Sequence, residues 1–291
     1  MKLRERLQGI VPIDRLPKLR DRYHIIGDIA ILALPEELGD YKKVIAQSVL
    51  VQDKSIRLVL NKISKLESER RVAGFEILAG SGDTITEHRE YGFSYRLDVA
   101  RVFFNSHLGY ERMRVARQVE PGEQVLVLLL HLHQPPISHV ARQVEPGEQV
   151  LVPFAGVGPF AVAPAARGAR VIALEKSREA CSWLTVNARQ NQVSKNIAII
   201  NADAFTIAQM LKQNFDRAIV PTPYGMDSIL EIVMRKVKKR GRIHFYTFKK
   251  HEQIEGLQNS YEEMGLEVEL FRRCGNVAPG VSRWAFDMTK S

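Results

Sequence analysis

Residues 150–166 read VLVPFAGVGPFAVAPAA, an apolar run, a turn containing two glycines, and a second apolar run. This order predicts a β-strand, a tight loop and an α-helix. Gly156 and Gly158 lack a Cβ, so the backbone can turn sharply there and approach a ligand closely. The first amides of the helix point into the same space. The incomplete G-x-G spacing disfavours a nicotinamide dinucleotide site.

The sequence after this loop alternates between strand-like and helix-like segments. Such alternation predicts a parallel sheet in a doubly wound α/β fold. Strands are predicted in ARVIALEK (169–176), NIAIINADAF (196–205), DRAIVPTPYG (216–225) and RIHFYTF (242–248), and helices in ERMRVARQV (111–119), SREACSWLTVNARQNQ (177–192), SILEIVMRKVKKRG (228–241, ended by Gly241) and 251–264.

Two acidic residues follow the second and third predicted strands. Glu175 lies 19 residues beyond Gly156, where an acid can accept hydrogen bonds from ribose hydroxyls. Asp203 is placed to accept from an adenine amino group, and it also suits the N-cap of a helix. Glu175 has the alternative interpretation of a surface acid at a strand end. Together with the loop, the two acids predict the nucleoside pocket of a class I methyltransferase-like domain.

The first hundred residues show smaller elements. YHIIGDIAILAL (23–34) predicts a strand pair or a bent strand, and PEELGDYKKVIAQSVL (35–50) predicts a helix. Short strands are predicted at 56–61 and 74–79, and a hairpin turning at Tyr91-Gly92 is predicted within 81–104. We therefore predict three domains: a small α/β domain at 1–50, an α+β linking domain with the hairpin at 51–108, and a Rossmann-like domain at 109–291 with a duplicated insert at about 128–152.

The duplicated insert is an internal repeat. VARQVEPGEQVLV occurs identically at 115–127 and 140–152. Two copies do not make a repeat architecture, so we interpret them as a local tandem duplication, either natural or introduced during sequence assembly. The second copy leads directly into the glycine loop, and we expect it to form the first strand of the sheet. His131, His133 and His139 lie between the copies, and we expect them to be incidental rather than metal ligands.

Composition favours a polyanionic partner and a reducing compartment. The 291 residues include 42 Lys and Arg against 33 Asp and Glu, a net charge of +9. Cys181 and Cys274 are too far apart for a zinc or disulfide framework. No run of 18 apolar residues is present, and the first residues lack the apolar region of a signal peptide. These features predict a cytoplasmic protein without a membrane segment or metal.

The loop and its surroundings resemble a known enzyme family. VPFAGVGPFAVAPAARGARVIALEKS (152–177) is similar to the cofactor motif of the archaeal and eukaryotic tRNA (guanine-N1)-methyltransferases that act 3′ to the anticodon, and of the related wybutosine-pathway aminocarboxypropyl transferases. The resemblance extends over about residues 20–290, through RRVAGFEILAGSGDT (70–84), YGFSYRLDVARVFFNSHLGYERMR (91–114), GRIHFYTF and VAPGV. It implies a class I S-adenosylmethionine-dependent methyltransferase with tRNA as partner and position 37 as target. We also expect the protein to be a monomer.

The resemblance also implies roles for individual residues. Arg71 and Glu111 match the arginine and the glutamate that act at the target guanine in the family. A carboxylate can take the proton from the ring nitrogen, and a guanidinium can stabilise charge developing on O6. Glu111 also suits the start of a helix, and Arg70 makes the arginine assignment uncertain by one position.

The remaining site residues lie in the cofactor motif and after the fourth strand. Pro223 and Tyr224 are predicted at the target base, which Tyr224 can stack against. The cofactor S-adenosylmethionine is predicted to contact Phe154, Gly156, Gly158, Phe160, Glu175, Lys176, Asp203, Ala204 and Pro221.

The chain departs from the family pattern at three places. Val152 replaces the acid before FAG, His107 replaces an arginine, and Pro221-Thr222-Pro223 replaces N-L-P. Proline cannot supply the side-chain hydrogen bonds of that asparagine, although Thr222 and backbone carbonyls can substitute in part. The retained VGPF and Pro223 resemble the methyl-transferring branch.

Several alternatives stay open from the sequence. One is aminocarboxypropyl transfer within the same family. A second is methylation of an exocyclic amine, since PTPYG (221–225) is similar to N-P-P-Y but lacks its asparagine. A third is an inactive RNA-binding relative, and a fourth, disfavoured by the basic charge and the long N-terminal region, is a small-molecule methyltransferase.

Basic residues predict the RNA contacts. They cluster at 235–241, where we predict a helix end, and at 248–251 and 272–275. The N-terminal region, which by resemblance reads the tRNA body, adds Lys18, Arg20, Arg22, Lys42 and Lys43. Phosphate contacts by such residues give affinity that falls steeply with salt.

Overall fold

The chain forms two compact units, Met1–Ser106 and His107–Ser291. The computed structural model describes residues 2–64, 73–119, 124–127, 152–211 and 215–291, with the backbone alone at 124–127 and 152.

The first unit is an α/β sheet domain with an added hairpin. Its sheet has the order β1-β2-β3-β4, and β5 and β6 form a separate two-stranded sheet. The elements are α1 (Leu3–Arg6), β1 (His24–Ile26), β2 (Ile29–Leu32), α2 (Lys42–Gln52), β3 (Leu58–Lys62), β4 (Phe75–Gly80), β5 (Ile85–Glu90) and β6 (Phe93–Asp98).

The predicted domain boundary at residue 50 is wrong. Strand β2 pairs in parallel with β3, with Ile29 opposite Leu58, so α2 is the crossover helix of a β-α-β unit. Residue 50 therefore lies inside a helix that connects two neighbouring strands. The helix packs into the core through Ile45, Ala46 and Val49, all fully buried. Strands on both sides of the predicted boundary thus share one sheet and one core.

The predicted hairpin at 81–104 is present as β5 and β6. Its turn has positive φ angles at both central residues, 49° at Tyr91 and 86° at Gly92, as two-residue hairpin turns require. Hydrogen bonds join the hairpin to the β1–β2 turn, and two of them come from backbone amides of the turn. The Gly27 amide donates to His88 Nδ1 (3.2 Å), and the Asp28 amide donates to Thr86 Oγ1 (3.1 Å).

The second unit is built on one eight-stranded sheet of order β10-β9-β8-β7-β11-β12-β14-β13. All of its pairings are parallel except those of β14, which runs antiparallel to β12 and β13. The elements are α3 (Gly109–Arg117), β7 (Gln124–Val127), β8 (Val152–Pro153), α4 (Pro159–Ala166), β9 (Arg170–Glu175), α5 (Arg178–Gln190), β10 (Ile197–Asn201), α6 (Ala204–Met210), β11 (Phe215–Pro221), α7 (Ile229–Met234), β12 (Val237–Lys249), α8 (Ile254–Glu263), β13 (Leu266–Ala278) and β14 (Val281–Lys290).

This strand order confirms the doubly wound α/β prediction. From β7 the chain proceeds through β9 to β10 on one side, and then returns through β11 to β12 on the other side. The reversal creates a crevice at the carboxyl ends of the central strands, where open α/β sheets bind their ligands. The glycine loop, the end of β9 and the end of β11 all lie at this edge.

The first copy of the repeat supplies strand β7 inside the sheet, and residues 140–151 of the second copy lie outside the described residues. Strand β7 belongs to the copy at 115–127 and pairs with both β9 and β11. Val127 and Val152, equivalent residues of the two copies, both lie opposite Ala173. Our expectation that the second copy forms this strand is therefore wrong for β7, and Val152 of the second copy belongs to β8, a two-residue strand that pairs in parallel with β7 and β9. The insert histidines lie outside the described residues.

The predicted helix ending at Gly241 is too long. Helix α7 ends at Met234, and the following residues belong to β12. The β11–β12 register jumps from Phe215 opposite Val237 to Arg217 opposite Arg242. The basic segment 238–241 is therefore extra length opposite one residue of β11, which makes it an irregular bulge in a strand rather than a helix end.

Candidate functional site: the carboxyl edge of the central strands

The glycine loop has the backbone geometry that its sequence predicts. Gly156 and Gly158 have φ angles of 51° and 97°, and Gly158 is the N-cap of α4. Phe154, which is not a glycine, also has a positive φ of 75°. A left-handed conformation costs such a residue about 1–2 kcal/mol, so the surrounding structure must hold it. Strain of this kind is concentrated at ligand sites, and here it lies beside the N-terminus of α4.

Glu175 lies at the end of β9 and faces this loop. Its Oε2 accepts from the Gly156 amide (3.1 Å), and its Oε1 accepts from the Ser177 amide (2.6 Å). Burial raises the pKa of Glu175 to about 8, against the opposing effect of these amide hydrogen bonds. A carboxyl group held between the loop and the strand end is placed to exchange its amide partners for the hydroxyls of a ribose.

Three polar side chains that the sequence analysis did not single out hold this arrangement. Asn187 is fully buried, and its Nδ2 donates to the Val157 carbonyl in the loop (2.8 Å). Asn201 Nδ2 donates to the carbonyls of Glu175 (2.7 Å) and Lys176 (2.9 Å). The Cys181 thiol donates to the Glu175 carbonyl (3.3 Å). An asparagine on the apolar face of an amphipathic helix was the available signal for Asn187.

Asp203 has the double role that the sequence allowed. It is the N-cap of α6, and its Oδ1 accepts from the Phe205 amide (2.9 Å). Its Oδ2 lies 3.5 Å from Lys176 Nζ, and Ala204 beside it is fully buried. The carboxylate is therefore fixed at the end of β10, one strand away from Glu175.

The residues that follow β11 differ in their exposure to solvent. Thr222 is buried, and its Oγ1 donates to the Val220 carbonyl (3.3 Å). Pro223 accepts from the Met226 amide (3.2 Å) through its carbonyl. Tyr224 is 62% exposed and packs against Phe248, with ring centroids 5.7 Å apart. Tyr224 therefore offers an aromatic face to solvent at the same edge of the sheet, next to Pro221.

Glu111 is a buried carboxylate in the first turn of α3. Its Oε2 accepts from Arg114 Nε (3.0 Å) and from the Tyr246 hydroxyl (3.3 Å). The Tyr246 ring contacts Phe160 of α4, with centroids 5.3 Å apart. The guanidinium carbon of Arg112 lies over the same Phe160 ring, 5.8 Å from its centroid. Glu111 is thus linked through one tyrosine to the helix that starts at the glycine loop.

Two features of the predicted site lie outside the part of the chain that the structure describes. Arg71 and the neighbouring Arg70 lie outside the described residues, and so does the side chain of Val152. Their predicted roles stay predictions. His107 lies in the 3-10 turn that precedes α3.

The chemical groups at this edge suit S-adenosylmethionine. Glu175 and Asp203 present carboxylates at neighbouring strand ends, and such groups can accept hydrogen bonds from ribose hydroxyls and an adenine amino group. Gly156, Gly158 and the α4 N-terminus provide a close backbone approach. Within the described residues, no group of three or more His, Cys, Asp or Glu side chains is arranged to hold a metal ion, and no helix is long and apolar enough to cross a bilayer.

Two family models match the chain. The TRM5/TYW2 methyltransferase domain matches residues 86–132 and 135–269, and the TYW2 N-terminal domain matches residues 3–84. This chain belongs to the TRM5/TYW2 methyltransferase family. The matches confirm the family resemblance found in the sequence.

Individual relatives carry two different activity names. The tRNA (guanine(37)-N(1))-methyltransferase Trm5b of Pyrococcus abyssi is 30% identical over 97% of this chain and 78% of its own length. The tRNA 4-demethylwyosine(37)-methyltransferase Taw21 of Saccharolobus solfataricus is 29% identical over 81% of this chain and 82% of its own length. The chain spans less than half the length of several eukaryotic relatives named tRNA (guanine(37)-N(1))-methyltransferase.

Solved structures of the same family share the fold. The crystal structure of wild-type Trm5b from Pyrococcus abyssi superposes with a TM-score of 0.78 and 29% identity, covering 97% of this chain and 79% of that one. Pyrococcus horikoshii TYW2 in complex with MeSAdo superposes with a TM-score of 0.72 and 25% identity, covering 99% and 97%. The class I methyltransferase fold predicted from the sequence is therefore confirmed.

Proposed function

We propose that this protein is a tRNA methyltransferase that transfers the methyl group of S-adenosylmethionine to N1 of guanosine at position 37. The observation that carries the proposal is a series of contacts that connects a buried carboxylate with the glycine loop. Glu111, a buried carboxylate suited to accept a proton, contacts Tyr246 (3.3 Å), and Tyr246 packs against Phe160 at the cofactor loop. The name of the relative Trm5b supports the same target.

The cofactor and the base have separate binding groups in this proposal. Glu175 accepts hydrogen bonds from the ribose, Asp203 accepts from adenine, and Lys176, Ala204 and Pro221 line the pocket with the loop residues. When bound, S-adenosylmethionine supplies a methyl group activated by its sulfonium. Tyr224 stacks against the target base, with Pro223 fixing the turn before it.

Proton removal from the ring nitrogen is the step that requires the protein. The proton leaves guanine N1 for the Glu111 carboxylate, and the nitrogen electron pair forms the new bond to the methyl carbon. The carbon–sulfur bond breaks, and its electron pair remains on the sulfur of the departing S-adenosylhomocysteine. Arg71 is proposed to stabilise the charge that develops on O6 while N1 loses its proton.

The net charge of +9 supports binding of a polyanion such as tRNA. The clusters at 248–251 and 272–275 lie at the end of β12 and in β13 of the second unit. We propose that they contact phosphates near the target, while the first unit contacts the tRNA body. A cytoplasmic location and a monomeric state complete the proposal.

The test is nucleoside analysis by liquid chromatography and mass spectrometry. An unmodified tRNA transcript is incubated with the full chain and S-adenosylmethionine. The expected product is 1-methylguanosine, and Glu111→Gln should abolish it. Glu231→Gln is the matched control, because Glu231 also lies in the first turn of a helix but is exposed. Equal loss in both variants, or full activity in Glu111→Gln, would contradict the assigned role.

A second candidate is aminocarboxypropyl transfer to a wyosine precursor. The match of residues 3–84 to the TYW2 N-terminal domain favours it, because this domain model carries the name of that branch. The same experiment with tRNA carrying 4-demethylwyosine separates the candidates by product mass. A methyl on that base would instead indicate the activity for which Taw21 is named. A methyl that chromatography assigns to the exocyclic amine would instead support the exocyclic-amine methyltransferase hypothesis.

A further inference from the structure

The two oxygens of Glu111 have different surroundings. Oε2 accepts two hydrogen bonds, from Arg114 Nε (3.0 Å) and the Tyr246 hydroxyl (3.3 Å). Oε1 is buried and accepts no hydrogen bond from the described residues. The charged group beside Oε1 is the guanidinium of Arg272, whose Nε lies 3.3 Å from it. The Arg272 side chain is 38% exposed to solvent. A partly exposed side chain can move aside, so Oε1 is the oxygen available to a substrate.

Arg114 is itself fixed from behind. Its two terminal nitrogens bind the two carboxylate oxygens of Asp287 in β14. This fork-to-carboxylate geometry leaves Nε directed at Glu111, which lies three residues before Arg114 on the same helix. The orientation of Glu111 is therefore set by a residue on a different element of the sheet.

Asp287 is held in turn by a buried histidine. His244 Nδ1 lies 2.8 Å from Asp287 Oδ1, and His244 Nε2 lies 2.7 Å from an Arg217 terminal nitrogen. Because arginine can only donate, Nε2 must accept and Nδ1 must carry the proton that Asp287 receives. Arg217 also donates to the Gln118 carbonyl (2.6 Å). A continuous series of hydrogen bonds therefore runs from the Gln118 carbonyl through Arg217, His244 and Asp287 to Arg114, and it holds Arg114 rigidly.

Tyr246 supports Glu111 from the cofactor side. It is the residue of β12 opposite Pro221 of β11, and its ring contacts Phe160. Burial raises the pKa of Tyr246 well above its ordinary value, so its hydroxyl remains a donor. The tyrosine thus joins Glu111 to both strands and to the helix that form the cofactor crevice.

We propose that Arg114 and Tyr246 are positioning residues that hold Oε2 of Glu111, so that Oε1 takes the proton from guanine N1. Asp287 is the anchor that orients Arg114. The inference rests on the proposed function, in which Glu111 is the proton acceptor. It adds which oxygen reacts and which residues place it.

The charged and titratable groups around Glu111 define the expected pH behaviour. Arg114 faces it from its own helix, Tyr246 from β12, and Arg272 and Cys274 from β13. Burial raises the pKa of Cys274 to about 12, so this thiol is neutral at working pH. The charge of Asp287 in β14 is balanced by Arg114, and its carboxylate also accepts a hydrogen bond from the neutral His244. Removing one donor from Oε2 therefore leaves the negative charge of the carboxylate with one stabilising hydrogen bond fewer.

The experiment compares Tyr246→Phe with wild type under single-turnover conditions at saturating tRNA and S-adenosylmethionine. The variant keeps the ring contact with Phe160 and removes only the hydroxyl. We expect the methyl-transfer rate to fall about 10- to 100-fold, because small misplacements of a catalytic group have effects of this size. The acid limb of the pH–rate profile should move to higher pH. Affinities for both substrates should stay within about twofold, a difference under 0.5 kcal/mol.

Tyr261→Phe is the matched control, because Tyr261 is also buried but lies on α8 against Phe245 and Phe286. A second variant, Arg114→Lys, keeps the charge but cannot bind Asp287 and Glu111 together, with exposed Arg117→Lys as its control. A wild-type rate and pH profile in Tyr246→Phe and Arg114→Lys would overturn the inference, as would equal losses in the controls. A wild-type enzyme that leaves guanine unmodified would overturn the proposed function instead.

Discussion

The N-cap of α4 gives a stringent test of the glycine loop. Gly158 has a φ of 97°, and a Cβ at this position would lie 2.1 Å from Leu184 Cδ1. Leu184 is fully buried on α5, so its side chain has little space into which it can retreat. Gly158→Ala therefore combines backbone strain with overpacking, and either the loop or α5 must shift.

The two effects can be given magnitudes. A left-handed conformation costs a residue with a Cβ about 1–2 kcal/mol. Forcing additional volume into a packed core costs about 1–3 kcal/mol. The substitution should thus lower the free energy of unfolding of the second unit by about 2–5 kcal/mol. With a urea dependence of about 2 kcal/mol per molar, the midpoint should fall by about 1–2.5 M.

Urea unfolding followed by tryptophan fluorescence measures this change. Both tryptophans of the chain, Trp183 and Trp284, lie in the second unit, so the signal reports that unit. Gly256→Ala is the matched control, because a Cβ at Gly256 meets no atom within 4 Å on helix α8. Alanine should stabilise that helix by about 1 kcal/mol. Equal midpoints for Gly158→Ala and wild type would refute the steric reasoning.

Three further predictions concern other buried groups. Because burial raises the pKa of Glu175 to about 8, affinity for S-adenosylmethionine should rise with pH up to about that value, and calorimetry of Glu175→Gln should show about 10- to 100-fold weaker binding with a flat pH profile. Asn187→Ala leaves the Val157 carbonyl without its side-chain donor, and its urea midpoint should report a loss of about 1–3 kcal/mol, whereas no loss would contradict that contact. Burial lowers the pKa of His244, so the unfolded chain takes up a proton below about pH 6.5 that the folded chain does not; stability should fall as pH drops through this range, and His244→Gln should reduce the slope.

Local sequence features located the glycine loop and the two strand-end acids better than they located the residues that support them. Gly156, Gly158, Glu175 and Asp203 are recognisable because a strand, a turn and a helix follow each other within a few residues. Asn187, Tyr246 and Asp287 are not recognisable in this way. Each lies far along the chain from the group that it supports, so only the pairing of strands and the packing of helices bring them together.

The errors have a related origin. Residues 235–241 have the charge pattern of a helix end, but 237–241 belong to strand β12, whose pairing with β11 begins at Val237 and resumes at Arg242. Strand pairing outweighs local propensity when it completes a sheet. The boundary predicted at residue 50 failed because the change of pattern there marked a crossover helix, and a crossover joins strands of one sheet rather than separating two domains.

The sequence by itself determined the fold class, the family and the cofactor loop of this protein. These depend on short-range order and on residue types that few other conformations tolerate, such as glycine at positive φ. The tertiary structure decided which copy of the repeat supplies β7, and how Arg114, Asp287 and Tyr246 surround Glu111. The two copies of the repeat have the same sequence, so local propensity cannot distinguish which of them forms the strand. The contacts of a buried carboxylate depend on the register of the sheet, which is fixed only when the whole unit is packed.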